Sequence, residues 1–483
     1  MGVNYTFDLA KAQSGSGAWS IAKQIPNYDP IGRAPVMVAD TQGQIHAFND
    51  QRVGAQRDMV IYYRTWNLEQ GWTTPVDVIY RGRLLNAVVQ DALVDEWGIL
   101  HLIFFEGDPT TGTIQYTKAP ADIARQARAW SKPRLISDGA GPITHAALIS
   151  LRPGNLTILF SGQADGFGLY EIHSDDRGDN WSNPELVYRT SSIKQWVAAI
   201  RAHVDQRGWL HAVWGVVNDE GRGDAVYYAR YLPETERWDQ LTTIATREGS
   251  DYSTTWPAVI TDNNGQVIVV YMDSFPAAKF YRLSKDGGET WSVPIRPFPH
   301  LGEYEHPVLL KDSNQVVHIV LGNRLSGDPD IHGMWHGIWQ NNRWSDLRPI
   351  DTGPKTIYFD PSAPKAVISM GNIIMASWWH DTSNEFRSGA WYSYITLDAP
   401  RSPVVTPWVA TVMPTQAISP FQSNPNGELT TPVETVLPVM DENPARRVDG
   451  ENNITQNIFL SLIPVFLVIS FLILYRRFSI RTS

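Results

Sequence analysis

Charged side chains that could bind a ligand and transfer a proton gather in the segments between the predicted strands. Prominent among them are Arg33, Arg52 and Asp58, followed much later by Glu305 and Arg324. A guanidinium group suits a planar carboxylate because it can donate two parallel charge-assisted hydrogen bonds. A carboxyl group can pass a proton to or from a reacting atom. Solvated loops are also usually charged, so the elements that bring these residues together must decide between the two interpretations.

The composition excludes several other kinds of site. The 483 residues contain no cysteine, which excludes disulfides, thiolate metal ligands and a cysteine nucleophile. The formal net charge is −10, and no basic run is present, which argues against general nucleic-acid binding. We find no phosphate-binding glycine loop, zinc spacing or Ser–His–Asp motif. The sequence therefore predicts no metal site and no cofactor.

A repeat organises most of the chain. Seven tryptophans recur at spacings of 51 to 58 residues: Trp19, Trp72, Trp130, Trp181, Trp238, Trp291 and Trp344. Between them, an aspartate precedes a histidine by six residues in four copies, namely Asp40–His46, Asp95–His101, Asp205–His211 and Asp312–His318. Because the four histidines share one phase of the repeat, we expect them to have a repeated packing role. Apolar runs bounded by Asp, Asn and Gly turns predict strands on both sides of each turn.

The length of the repeat matches one blade of a β-propeller. Roughly 50 residues hold about four strands, which is the size of a propeller blade. The count predicts an all-β propeller of seven four-stranded blades, or six if one copy is irregular. The last repeat, near residues 360–398, lacks its own tryptophan strand. We expect the strand at Trp19 to complete that blade, which would close the ring and hide its edge strands.

Two hairpins carry a sharper signature, Ser-x-Asp-x-Gly-x-x-Trp. Its residues are Ser174, Asp176, Gly178 and Trp181 in the first copy and Ser284, Asp286, Gly288 and Trp291 in the second. In such a turn the aspartate accepts backbone N–H groups, the glycine takes a positive φ and the tryptophan packs between sheets. The motif resembles the Asp-box (BNR repeat) of the sialidase, or neuraminidase, superfamily, and the resemblance covers roughly residues 15–398. It implies that the box is structural and lies on the face opposite the active site.

The resemblance also implies roles for residues on the other face. The segment Gly32-Arg33-Ala34-Pro35 is similar to the Arg-Ile-Pro opening of sialidases, with alanine in place of isoleucine. Arg33 would then be one of three arginines that bind the substrate carboxylate. Family members carry a further basic residue and the acid/base aspartate shortly afterwards. Arg52 and Asp58, 19 and 25 residues after Arg33, match these two positions.

The remaining residues of the family's set fit in two alternative registers. Glu305 and Arg324, 19 residues apart, match a glutamate and an arginine of one blade. If Arg324 is the second arginine, Arg387 could be the third, but no propeller tyrosine follows at the family's spacing. If Arg324 is the third, Tyr358 lies 34 residues later as the nucleophile, and the second arginine is Arg222 or is missing.

The resemblance implies a retaining exo-α-sialidase with a tyrosine nucleophile, an exception to the two-carboxylate rule of glycosidases. Glu305 would take the phenolic proton of Tyr358, and Asp58 would protonate the leaving oxygen and later activate water. The alternative function is a non-catalytic propeller that binds glycans or protein with the same face. In either case we expect a glycan partner, no nucleic acid and a monomer.

The C-terminal part of the chain predicts a stalk and an anchor after a propeller over residues 1–398. Residues 399–456 contain nine prolines between Pro400 and Pro444, which is typical of an extended spacer. Residues 457–475 include 18 uncharged residues from Ile458 to Tyr475, long enough for a transmembrane helix. The basic tail, 476–483, favours a cytoplasmic C-terminus and an extracellular propeller. The N-terminus shows no signal peptide, so either the true start lies upstream or the protein is tail-anchored and faces the cytoplasm.

Overall fold

The computed structural model describes ten stretches of the chain: 17–55, 57–82, 86–107, 112–139, 145–249, 253–273, 278–298, 306–325, 331–382 and 388–405. Within them the protein is all-β apart from two short 3-10 helices, Ala121–Ile123 and Ala127–Ala129. The strands form seven antiparallel sheets, and each sheet is one blade of a propeller. The innermost strands of neighbouring blades contact one another all the way round, so the ring is closed.

The seven blades follow the order of the sequence. Blade 1 contains β2 (Val36–Ala39), β3 (Ile45–Val53), β4 (Asp58–Asn67), β5 (Gly71–Trp72) and β6 (Val76–Gly82). Blade 2 contains β7 (Ala87–Val94), β8 (Ile99–Glu106), β9 (Thr113–Pro120) and β10 (Arg134–Asp138). Blade 3 contains β11 (Ala146–Ile149), β12 (Leu156–Gly162), β13 (Gly168–Ser174) and β14 (Glu185–Arg189). Blade 4 contains β15 (Gln195–Val204), β16 (Leu210–Asn218), β17 (Gly223–Leu232) and β18 (Arg237–Thr246).

Among the last three blades, blade 5 has three strands, blade 6 has five, and blade 7 draws its fourth strand from the N-terminus. Blade 5 contains β19 (Thr255–Thr261), β20 (Val267–Asp273) and β21 (Ala278–Ser284), and a single bridge from Tyr281 to Ile295 stands where the fourth strand is expected. Blade 6 contains β22 (Val308–Lys311), β23 (Val317–Leu325), β24 (Ile331–Gln340), β25 (Arg343–Trp344) and β26 (Arg348–Pro354). Blade 7 contains β27 (Pro361–Ser369), β28 (Ile373–His380) and β29 (Ala390–Thr396). The prediction of seven blades is confirmed.

The N-terminal strand closes the ring, as predicted. β1 (Lys23–Gln24) is the outermost strand of blade 7 and pairs with β29. Upstream of it, the Ser20 amide donates to the Tyr394 carbonyl at 2.8 Å, and the Ser393 hydroxyl donates to the Ser20 carbonyl at 2.6 Å. Trp19 is buried among the apolar side chains of blades 6 and 7. The chain ends of the propeller are therefore held by one sheet.

The repeated histidines pack as one recurring cluster. In blades 1, 2 and 4 the histidine Nε2 lies 3.2 Å from the aspartate six residues earlier, and Nδ1 lies 2.7 Å from a tyrosine hydroxyl. The tyrosines are Tyr63, Tyr116 and Tyr228. A carboxylate can only accept, so Nε2 donates to it. These clusters give the expected packing role a specific form: each joins the first hairpin of a blade to its third strand.

The two Asp-box turns dock onto these clusters. In blade 3, Ser174 Oγ accepts from the Gly178 amide at 2.8 Å, and the Asp176 carboxylate accepts from the Asn180 amide at 2.7 Å. Trp181 packs edge-on against Tyr116 of blade 2 with ring centroids 5.1 Å apart. The bonds from Asn180 lower the pKa of Asp176 to about 2.

The second box repeats this arrangement two blades later, in blade 5. The Gly288 amide donates to Ser284 Oγ at 2.7 Å, and the Asp286 carboxylate accepts from the Thr290 amide at 2.9 Å. Trp291 packs edge-on against Tyr228 of blade 4 with ring centroids 4.9 Å apart. Both boxes lie in the turn after the third strand of a blade, at the end of the ring opposite the loops between the second and third strands. The structural role implied by the resemblance agrees with this geometry.

The predicted anchor lies outside the described residues. The described stretches end at residue 405, so residues 457–475, the basic tail and most of the stalk lie outside them. Within the part of the chain that the structure describes, no helix is long and apolar enough to cross a membrane. The anchor and stalk therefore stay predictions.

Candidate functional site

A cavity of about 600 Å³ opens at the mouth of the central channel, and we call it the axial cavity. All seven blades contribute to its wall, through residues in or just before their innermost strands and, in blades 1, 2 and 7, also through the second strand. The titratable wall residues are Arg33, Asp50, His145, Arg201, His306 and Lys365. The other polar wall residues include Asn49, Asn86, Gln90 and Ser362, and the aromatic ones are Phe48, Phe105, Trp256 and Trp379. This is the end of the ring opposite the Asp-boxes.

Bulges in the innermost strands direct side chains into the cavity. The pairing register shifts between Ala198 and Arg201 in β15, between Thr255 and Ala258 in β19, and between Ser362 and Lys365 in β27. Within these bulges Ala199, Trp256 and Ala363 have φ values of 53°, 52° and 51°. A left-handed residue kinks the strand and re-aims the side chains that follow. Arg201 and Lys365 thus occupy equivalent positions in blades 4 and 7.

Three cations dominate the electrostatics of the cavity. Burial, together with the neighbouring charge of Arg201, lowers the pKa of Lys365 to about 8, while Asp91 opposes the shift. Burial also raises the pKa of Asp91, although its carboxylate accepts from the amides of Ala92 and Leu148, both at 2.9 Å. Among the described residues, no ion pair joins Arg201 or Lys365 to a carboxylate. With Arg33, these two residues make the wall a site for an anion.

Two histidines and a tryptophan form a neutral part of the same wall. Burial, reinforced by Arg201, lowers the pKa of His145 to about 3 and holds the pKa of His306 well below its usual value. Both rings are therefore uncharged at neutral pH. Trp256 lies between them, with its ring centroid 3.7 Å from that of His306 and 6.2 Å from that of His145. Within the described residues Nε2 of His145 is buried without a hydrogen-bond partner.

A pair of adjacent polar residues in β3 completes the wall. Burial raises the pKa of Asp50, whose carboxylate accepts a long bond of 3.3 Å from the Val89 amide. Its neighbour Asn49 is only 5% exposed. Neither the nitrogen nor the oxygen of the Asn49 side-chain amide has a hydrogen-bond partner in the described part of the chain.

Two of the residues predicted from the sequence lie at the rim of the cavity rather than in its wall. Arg52 Nη1 donates to the Arg57 carbonyl at 2.9 Å, and Nη2 contacts the wall residue Asn86. Asp58 begins β4, and its hydrogen bond with Tyr80 raises the pKa of that tyrosine. Arg33 is in the wall itself. The structure therefore brings Arg33 and Arg52 to one side of the cavity through the loops of blade 1.

Of the other predicted residues, one lies outside the cavity wall and the rest are described only in part or not at all. Tyr358 is 64% exposed in the segment between β26 and β27, and it is not a wall residue of the axial cavity. The backbone of Arg324 pairs with His332 in blade 6. Glu305, Arg387 and the side chain of Arg324 lie outside the described parts of the structure. The roles assigned to all of them stay predictions.

The residues that sequence reasoning missed had one visible signal. Arg201 and Lys365 each interrupt an otherwise uncharged stretch, QWVAAIRAHV and PSAPKAVIS. Asp91 does the same in AVVQDALV. A charge inside a fully apolar strand is costly unless it faces a cavity or a partner. Charged residues within innermost strands mark this site together with Arg33, which lies in the loop before β2.

Comparison with known proteins gives a fold and no closer relationship. No protein-family model matches the sequence, and no curated protein does so. Among solved structures, the polysaccharide lyase Uly1 is similar over 81% of this chain and 94% of its own, at 10% identity and a TM-score of 0.53. A PL25 ulvan lyase is similar over 79% of this chain and 97% of its own, at 12% identity and a TM-score of 0.50.

Sialidases are also among the similar structures. The intramolecular trans-sialidase from Ruminococcus gnavus is similar over 78% of this chain and 95% of its own, at 11% identity and a TM-score of 0.42. At these identities the similarity shows the fold alone. The predicted β-propeller is confirmed by the closed ring of seven blades.

Proposed function

We propose that this propeller is a carbohydrate-active protein that holds the anionic group of an acidic sugar in the axial cavity. The observation that carries the proposal is the convergence of Arg33, Arg201 and Lys365, from three different blades, on one concave wall. Asp50 interacts through its charge with Arg33, and Asp91 does so with Arg201 and Lys365. A carboxylate or sulfate would balance the remaining positive charge, and bound anions gain most from donors in a partly buried site.

The neutral part of the wall suits the rest of a sugar. A pyranose ring presents apolar C–H faces between its hydroxyl groups, and Trp256 offers an aromatic surface of matching size. His306, whose ring is tilted by 36° against that of Trp256, extends that surface. Solved structures of similar fold act on carbohydrates, and one ulvan lyase was determined bound to -[GlcA(1-4)Rha3S]-. These features together favour an acidic glycan over an isolated inorganic anion.

The first candidate reaction is retaining hydrolysis of a terminal acidic sugar, as in exo-α-sialidases. The sequence resemblance supports it, together with Arg33 in the cavity wall. Tyr358 would attack the anomeric carbon after losing its proton to Glu305, and Asp58 would protonate the departing oxygen. The covalent intermediate would then be released by a water molecule that Asp58 activates. A non-catalytic role in glycan binding is the alternative that these residues leave open.

The second candidate reaction is β-elimination on a uronate, and His145 favours it. This histidine is neutral, its Nε2 has no partner among the described residues, and the cations that would neutralise a uronate carboxylate surround it. The base would take the proton α to the carboxylate. The freed electron pair would form a carbon–carbon double bond, and the glycosidic C–O bond at the β carbon would break as its oxygen gained a proton from a water molecule.

One experiment tests the binding proposal and separates the two reactions. The purified full-length chain is titrated calorimetrically with N-acetylneuraminate and with glucuronate, and incubated with a fluorogenic sialoside and with a uronate polysaccharide. We expect Arg201→Met to weaken acidic-sugar binding about 10- to 100-fold, because it removes a charge-assisted interaction. The control Arg152→Met, in the turn between β11 and β12 at the end of blade 3 that points away from the cavity, should bind as the wild type does.

The products identify the chemistry. Fluorophore release that Asp58→Ala abolishes supports hydrolysis, whereas unsaturated uronate ends that His145→Ala abolishes support elimination. Binding without either product supports the non-catalytic alternative. If neither acidic sugar binds the wild-type chain, the proposal is wrong.

We also propose that residues 457–475 anchor the propeller to a membrane, with the propeller extracellular and the C-terminus cytoplasmic. The uncharged run and the basic tail support this topology. The full-length chain should stay with membranes after an alkaline wash, and removal of residues 457–475 should release it. If protease added outside intact cells leaves the propeller uncut, the proposed orientation is wrong.

A further inference from the structure

Asn49, in the wall of the axial cavity, uses neither polar atom of its side chain in a hydrogen bond within the described residues. Its neighbours in the wall are engaged: Asp50 accepts from the Val89 amide, Asn86 contacts Arg52, and Gln90 donates to the Val88 carbonyl at 3.2 Å. The Asn49 amide is 95% buried and has no partner at either atom within the described residues.

An amide in this state costs stability. Burying a polar group without a hydrogen bond forfeits its hydration, and native proteins satisfy the large majority of such groups. Asn67, at the other end of the same blade, shows how an asparagine side chain usually stabilises a fold. Its side-chain oxygen accepts from the amides of Glu69 at 3.1 Å and Gln70 at 2.7 Å, which fixes the turn after β4. Asn49 fixes no turn and no neighbouring strand.

We infer that Asn49 is a specificity residue that hydrogen-bonds the hydroxyl groups of the acidic sugar whose anionic group binds the three cations. This inference rests on the proposed function and adds to it the hydroxyl groups by which the protein would distinguish one acidic ligand from another. An amide presents two donors and one accepting oxygen in a plane, and a sugar hydroxyl can both donate and accept. Two adjacent hydroxyls on one ring therefore match the donor and acceptor of Asn49.

The position of Asn49 in the fold supports the same role. It lies in β3 directly between Phe48 and Asp50, and all three line the cavity. A residue on a strand is held more firmly than one on a loop, which suits a group that must discriminate between similar ligands. A site built around a buried hydrogen-bonding group rejects an analogue that lacks the matching hydroxyl, because the group is then left unpaired.

The test compares two ligands that share a carboxylate and differ in hydroxyl groups. D-Glucuronate carries hydroxyls on a six-membered ring, and cyclohexanecarboxylate carries none. Calorimetry on the full-length chain should show that Asn49→Leu weakens glucuronate binding about tenfold, the effect of about one hydrogen bond, and leaves cyclohexanecarboxylate binding unchanged. The thermal midpoint of the ligand-free variant should rise by about 1–3 °C, because leucine fills a similar volume without an unpaired amide.

The control is Asn67→Leu, which should lower the thermal midpoint and leave both affinities unchanged. A structural role for Asn49 predicts the opposite pattern for Asn49→Leu: a lower midpoint with unaltered preference between the ligands, and that result would overturn the inference. If Asn49→Leu does not fold, Asn49→Ala gives the same comparison of affinities. Failure of the proposed function looks different, since neither ligand would then bind the wild-type protein, and the inference would fall with it.

Discussion

Lys365 shows how a single residue connects the strand geometry to the chemistry of the cavity. The bulge at Ala363 turns the strand so that the lysine enters a wall already occupied by Arg201. Burial next to that guanidinium group brings the pKa of Lys365 down to about 8, so its charge is lost within an accessible pH range. Arginine keeps its charge throughout that range.

Acidic-sugar affinity should therefore fall as the pH rises through about 8. The ligand carboxylate stays ionised between pH 7 and 10, so the change reports the lysine, whose protonated form binds the anion. Above its pKa the affinity should fall by up to about tenfold per pH unit. Lys365→Arg should flatten the profile, and Lys365→Met should be weak at every pH. Calorimetric titrations with glucuronate at half-unit steps measure this, and a flat wild-type profile would contradict it.

At the residue scale the sequence predicted only one edge of the candidate site. Arg33 could be found because it lies in a loop with a recognisable neighbourhood, and it is a wall residue. Arg201 and Lys365 could not, because their direction depends on bulges whose left-handed residues include two alanines, Ala199 and Ala363. Left-handed positions are predictable where glycine occupies them, and alanine gives no such signal.

At the scale of the element, the spacing of residues alone was sufficient to predict the first hairpin of several blades. The six-residue distance from aspartate to histidine predicts a hairpin, and the structure shows why that distance is constant. The aspartate caps the turn while the histidine reaches back to it and across to a tyrosine on the third strand, as in Asp95, His101 and Tyr116. The Asp-to-His spacing predicted the hairpin. The tyrosine could not be predicted, because it lies on the third strand, 15 to 17 residues after the histidine, and no motif marks it.

Gly288 of the second Asp-box tests how tightly the box packs against the neighbouring blade. A Cβ on Gly288 would lie 2.2 Å from the Tyr228 hydroxyl, and the residue has φ +104°. Gly208 also has a positive φ, +83°, but a Cβ there would meet nothing within 4 Å. We expect Gly288→Ala to destabilise the fold by more than about 2 kcal/mol, since it adds a clash to the backbone strain, and Gly208→Ala by about 1 kcal/mol. Urea unfolding measures both, and equal effects would show that the docking of the box is not tight.

At the scale of the whole molecule, a ring built on buried histidines should be sensitive to acid. Burial lowers the pKa of seven described histidines: His145, His203, His211, His306, His318, His336 and His380. The unfolded chain binds these protons near pH 6.5 and the folded chain does not. Stability is therefore complete above that pH and falls as the pH drops below it, by up to about 1.4 kcal/mol per pH unit for each such group.

Blade 6 offers the sharpest test of that origin, because it departs from the cluster found in blades 1, 2 and 4. His336 stands where those blades have a tyrosine, with its Nε2 2.9 Å from Nδ1 of His318, and burial lowers its pKa to about 3. His336→Tyr should reduce the slope of unfolding free energy against pH between 6 and 4 by about one proton, whatever it does to stability at pH 7. The reverse exchange in blade 1, Tyr63→His, should steepen the slope by about one proton. Urea unfolding at several pH values measures both slopes. If the two slopes do not change in opposite directions, groups other than these buried histidines cause the acid sensitivity.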